Sequence, residues 1–240
     1  MEEHPERGQE KRPPSHRTLV IPYILPIAVF IGFALSSAWL VFFLLEDRKK
    51  PEPKLMITKT FVIGMVSALA AAGIEKFFGA LCASLSISDY SIISLSGNAF
   101  IEELIKFIVV FVFVSASKYF DEPVDRMIYM ITAALGFATV ENFFFLSSAA
   151  TATELAGLSI LRFVGATLMH ALSSGILGYM WAKKKLIGGI VMATGIHTLF
   201  NYLVLTKGPE TWPTAFLLFV AFILFYKFDR IKTYYERKKR

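Results

Sequence analysis

Apolar positions in this chain run in long blocks and do not alternate at strand or helix-face spacing. Blocks of about 20 apolar residues are the length of a bilayer-crossing helix. A segment inside lipid must satisfy its own backbone hydrogen bonds, which leaves helices or a closed barrel. Continuous blocks favour helices, because barrel strands alternate over shorter segments. The pattern predicts seven spans, roughly 19–45, 56–87, 96–116, 125–149, 158–182, 186–206 and 213–228, or eight if the first block folds as a hairpin. The predicted fold class is therefore all-α, a polytopic helical bundle integral to a membrane. Pro22 and Pro26 are candidate kinks in the first span.

Residues 1–18 are polar, with Pro5, Pro13, Pro14 and mixed charge, and read as a disordered tail. The apolar block that follows is too long for a cleavable signal and is read as the first span. The membrane domain occupies 19–228, with its motifs in 98–206, and a basic tail closes the chain at 229–240. No internal repeat or glycine-rich nucleotide loop interrupts it.

Composition agrees with a membrane protein. Of 240 residues 55% are hydrophobic and only 18% charged, more apolar surface than a soluble domain of this size hides easily. One cysteine, Cys82, excludes an intramolecular disulfide framework and a multi-thiolate zinc site. The net charge of +6 is no sign of nucleic acid, because the basic residues gather at helix ends. Arg48, Lys49, Lys50 and Lys54, then Lys118 and Arg126, then Lys183 to Lys185, then the C-terminal tail alternate with loops nearly free of base. By the positive-inside rule this sets the C-terminus in the cytoplasm and the N-terminus outside, against the basic residues of the N-terminal tail.

Five ionisable residues break the apolar blocks: Glu102, Glu103, Glu141, His170 and His197. A carboxylate at mid-bilayer costs on the order of 2.5–3.5 kcal/mol even on the gentlest insertion scale. Mutual facing in one polar cavity is the cheapest resolution. Asn98, Glu102 and Lys106 are four apart and share a helical face, so Lys106 can pair with either glutamate. Adjacent glutamates point about 100° apart, which implies different tasks for Glu102 and Glu103. A buried Glu–Lys pair that only locks helix packing is the plain alternative. Small residues before Glu141 permit close helix approach, and Asn142 is suited to an interhelical hydrogen bond. His197 and Asn201 are four apart on one face. Glu75 and Lys76 read as structural or interfacial.

Two chemistries fit this set. A glutamate can take a proton from water attacking an amide while histidine and asparagine donate to the oxyanion. Alternatively Glu102, Glu141, His170 and His197 hold a divalent metal such as zinc that activates the water. The compact His-Glu-x-x-His spacing is absent, so the residues themselves leave the cofactor open. A proton-coupled transporter or a non-catalytic scaffold would use the same groups differently, although neither inverted repeats nor paired broken helices are visible.

Three stretches, Phe100-Ile-Glu-Glu-Leu-Ile-Lys106, Phe120-Asp-Glu-Pro-Val-Asp125 and Leu135-Gly-Phe-Ala-Thr-Val-Glu-Asn142, come in this order. Met169-His-Ala171, Gly178-Tyr179 and His197-Thr-Leu-Phe-Asn201 follow. Together, over about residues 45–206, they resemble the PrsW family of intramembrane proteases within the CAAX prenyl endopeptidase superfamily. The resemblance implies an endopeptidase in a prokaryotic plasma membrane that cuts a membrane-anchored protein, such as an anti-sigma factor or a lipidated protein. It implies Glu102 as water-activating base with Glu103 beside it, His170 as a positioning group, and His197 with Asn201 as the oxyanion pair. Glu141, Asn142, Lys106 and Asn98 stand as supporting residues. Arg126 and Met130 depart from the small residues usual after the Asp-Glu-Pro motif, which raises narrowed helix packing or an altered cytoplasmic contact.

Overall fold

The structure is a computed structural model that describes residues 16–45 and 50–239. The first 15 residues of the polar tail, and Arg48 and Lys49 of the first basic loop, lie outside the described residues. Among the described residues every regular element is helical: α1 His16–Leu45, α2 Lys54–Ser84, α3 Ile92–Phe113, α4 Asp125–Leu146, α5 Ala152–Leu161, α6 Leu168–Ala182, α7 Leu186–Lys207 and α8 Thr211–Lys239. A π-helical turn, Arg162–Thr167, joins α5 to α6 so that Ala152–Ala182 is one continuous rod. This makes seven rods. The first block forms one unbroken helix past Pro22 and Pro26, not a hairpin.

Six rods are long and apolar enough to cross a membrane. The remaining one, α3, has 22 residues but carries Glu102, Glu103 and Lys106. Large side chains such as Phe30, Phe77 and Phe222 point outward, as a lipid-facing surface requires. The polar residues turn inward. α4 is the most buried rod, packed against α1, α2 and α6.

Its crossing with α2 is backbone on backbone. A Cβ at Gly136 would stand 2.0 Å from the Phe61 carbonyl oxygen, and one at Gly64 would stand 2.1 Å from that of Ala133. Nearer the α4 N-terminus, Gly178 of α6 lies against the Arg126 backbone in the same way. Arg126 therefore costs no space between the helices. Its side chain donates to the Glu122 carbonyl (3.1 Å), and its guanidinium lies over Phe120 and Trp181. Met130 is fully buried in the core.

Local signals fix the ends of the rods. Ser91 caps α3 by accepting from Ser94 N (3.1 Å), and Thr151 caps α5 by accepting from Glu154 N (3.1 Å). The α6–α7 turn passes through Lys184 at φ 58, where Lys185 N reaches back to the Met180 carbonyl (2.9 Å). Near the α4 N-terminus Tyr129 donates to Glu52, which lies just ahead of α2. Burial raises the Glu52 carboxyl above its ordinary pKa although that bond opposes the shift.

Candidate active site

The side chains of α3, α4, α6 and α7 meet inside the bundle, and Lys106 is the hub. Its ammonium is fully buried and donates to Glu103 Oε1 (3.0 Å) and Glu102 Oε2 (3.3 Å). It also lies 2.8 Å from His170 Nδ1 and over the Phe137 ring at 4.3 Å. An ammonium offers only donors, so His170 Nδ1 accepts and its Nε2 carries the proton toward Glu141 Oε2, 2.8 Å away.

The two adjacent glutamates separate as their angular offset requires. Glu103 is wholly enclosed and saturated. Its Oε1 accepts from Lys106 and Ser173 (3.1 Å) and lies 3.2 Å from His197 Nδ1, while its Oε2 accepts from Ser174 (2.9 Å). Glu102 keeps some exposure and makes fewer contacts. Its Oε2 lies 3.8 Å from His170 Nδ1 and its Oε1 lies 3.9 Å from His197 Nε2. The two imidazoles sit edge to face, 5.0 Å between centroids. Glu102, His170 and His197 each bring a ligating atom within 4.8 Å of the others.

Other expected residues stand further out. Glu141 lies behind His170, bonded also to Arg162 Nη2 (2.9 Å). Asn142 makes the interhelical bonds, donating to Thr167 Oγ1 (2.9 Å) and accepting from Arg162 Nε (2.6 Å). Asn201 is half-buried on the wall of a neighbouring cleft and is not hydrogen-bonded to the cluster. Asn98 does not join the Glu102–Lys106 row, and its buried Oδ1 finds no partner among the described residues.

Two participants escaped the sequence reading. Arg162 opens the π turn and clamps Glu141 and Asn142. A lone arginine in an apolar block was the available signal, by the same rule that singled out the glutamates. Glu75, expected to be structural or interfacial, turns its carboxyl toward Glu102 and into the field of Glu141 and Lys106. Lys76 is exposed.

A polar interior of this kind, walled by bilayer-length helices, equips a protein for hydrolysis inside the membrane, and the comparisons put the chain in that class, the intramembrane proteases. The model of the "PrsW family intramembrane metalloprotease" matches residues 52–227, and the chain belongs to that family. It is 28% identical over 210 residues to "Protease PrsW" of Geobacillus kaustophilus, covering 84% of this chain and 89% of the relative. With "Protease PrsW" of Bacillus subtilis it shares 25% over 212 residues, 84% of this chain and 92% of the relative. The Clostridioides difficile protein of the same name is 23% identical over 207 residues, 81% and 86% of the two chains. No solved structure matches the chain significantly.

Proposed function

We propose that this multi-pass intramembrane protease cleaves a membrane-anchored protein with Glu102 as the base that takes a proton from the attacking water. The carrying observation is the contrast on α3. Glu103 has every oxygen engaged, whereas Glu102 is the partly open carboxyl, facing both imidazoles at 3.8 and 3.9 Å. Lys106 holds Glu102 at Oε2 and leaves its Oε1 toward His197. His170, anchored by Glu141 and Lys106, positions water or substrate. His197, held at Nδ1 beside Glu103, presents Nε2 to the developing oxyanion, and Asn201 donates from the next turn.

Metal chemistry fits the same residues. Two imidazoles and one carboxylate are the donor set of open catalytic zinc sites. Each imidazole has a carboxylate at its other nitrogen, Glu141 for His170 and Glu103 for His197, as metal-ligating histidines do. Charge leaves room as well. The four acids Glu75, Glu102, Glu103 and Glu141 face the two bases Lys106 and Arg162, an excess that protons or one divalent cation would balance. Glu102, His170 and His197 are the residues that would hold such an ion, once Lys106 releases the His170 nitrogen. The chemistry supplied there by bound zinc is polarisation of the scissile carbonyl and activation of water.

The test compares wild type, Glu102→Gln and His197→Ala on fluorogenic single-span peptides in liposomes. We expect Glu102→Gln to lower kcat by roughly 10²–10⁴ with little change in KM. Equal turnover in all three would remove these roles. A chelator that abolishes turnover, restored by added zinc, would establish the metal. Turnover unchanged by the chelator would establish the glutamate acting without one.

The bilayer we assign is a bacterial cell membrane, with the C-terminus in the cytoplasm. The lysine-rich turn at residues 183–185 and the basic tail support that orientation. A cysteine placed at the chain end should resist a membrane-impermeant thiol reagent until the cells are lysed, and labelling in intact cells would invert the topology.

A further inference from the structure

A cleft of about 460 Å³ opens beside the site, walled by Phe145, Leu158, Leu161, Val204 and Leu205, with Arg162 and Asn201 as its polar members. The glycine at 165 contributes to the space, because its missing side chain would project toward Phe200, the nearest atom 3.4 Å away. The π turn sets Arg162 at this wall. Trp39 Nε1 takes the Phe163 carbonyl (2.9 Å), from the same turn.

Arg162 spends only part of its guanidinium on the protein. Nε goes to Asn142 and Nη2 to Glu141, whereas Nη1 finds no acceptor among the described residues. The Asn201 amide has no hydrogen-bond partner there either, and it is not sealed from the cleft. Two unengaged donor groups on one apolar wall are costly inside a bilayer unless an occupant brings acceptors. An acyl chain brings none. A peptide main chain brings a carbonyl with every residue, and its side chain can fill the apolar remainder. The space also selects conformation. One turn of helix, about 10–12 Å across and 5.4 Å long, would fill it alone, so an unwound segment is what it admits.

We propose that this cleft is the subsite for the substrate residue adjoining the scissile bond, that it takes a large apolar side chain on an extended segment, and that Arg162 Nη1 binds that residue's main-chain carbonyl. The inference rests on the protease reading and names the substrate class for it. Arg162 also ties the occupied cleft to the chemistry, since Glu141 joins it to His170 through contacts of 2.9 and 2.8 Å.

The experiment uses the full-length protein in liposomes and a panel of quenched-fluorescent single-span peptides. They differ only at the residue flanking the cut, as Ala, Leu, Phe or Asp, and a parallel set carries a photoreactive phenylalanine there. Wild type should prefer Leu and Phe over Ala and Asp by tenfold or more in kcat/KM. Val204→Trp, which fills the cleft, should erase that preference. Arg162→Met should raise KM at least tenfold, with partial recovery in Arg162→Lys. Photo-adducts on wild type should map to residues 158, 161 or 204. Cleavage without side-chain preference, or adducts confined to lipid or to other helices, overturns the subsite while leaving the protease reading intact. Adducts in the cleft without cleavage of any peptide sink the protease reading, and with it the assignment to a scissile bond, and leave only an apolar cleft that binds peptide. Because the adducts are read on wild type, misfolding of either variant does not decide the outcome.

Discussion

Gly136→Ala is expected to destabilise the bundle by about 3 kcal/mol, the upper end of the range for overpacked cores. The added Cβ would stand 2.0 Å from the Phe61 carbonyl oxygen and 2.9 Å from its carbon. Those are backbone atoms of α2, so no side chain can rotate away and the two rods must part. Parting them would also move α4, which carries Glu141 and Asn142, relative to α2, which carries Glu75. Activity should therefore fall along with stability. Thermal unfolding in detergent is the measurement, with Gly73→Ala of α2 as comparison, because nothing stands within 4 Å of a Cβ there. Replacing a helical glycine by alanine in open space gains up to about 1 kcal/mol. Equal melting temperatures for the two variants would mean that the α2–α4 backbone contact is not tight.

That contact was partly legible. Small residues ahead of Glu141 signalled close approach, but their partner Gly64 lies on another rod at a register no local pattern specifies. The spans were legible for a stronger reason, since lipid demands unbroken apolar length and every block had it. The charged rod α3 was legible as the apolar block 96–116, although Glu102, Glu103 and Lys106 interrupt it. The division between the glutamates followed from the helical angle alone. Which of them would be saturated did not, because Ser173 and Ser174 sit seventy residues away and look like ordinary small residues in a span. Arg162 was visible as a lone arginine, but the π turn hid the face it presents. A regular 3.6-residue period from His170 does not give the face that Arg162 presents, and its partner Glu141 lies on a different rod.

Lys106→Met should cost more than any surface change in this protein, about 3–5 kcal/mol, the range for removing one partner of a buried ion pair. The ammonium is completely enclosed and serves Glu102, Glu103 and His170 at once. Methionine keeps the length and apolar stem but leaves Glu103 without its cation in a region closed to water. The serine hydroxyls and His197 continue to hydrogen-bond that carboxyl, yet none of the serines carries charge. Glu103→Gln removes the opposite member and retains an acceptor for Lys106 at reduced strength. If the pair is coupled as the geometry requires, Lys106→Met with Glu103→Gln should be less destabilised than the sum of the single variants by about 1–3 kcal/mol. Strict additivity in thermal or denaturant unfolding would reject Lys106 as the hub. Activity separates structure from chemistry in the same set: the double variant should regain stability without regaining turnover, because Glu102 would still lack the cation beside it and His170 would lose the donor that fixes its tautomer.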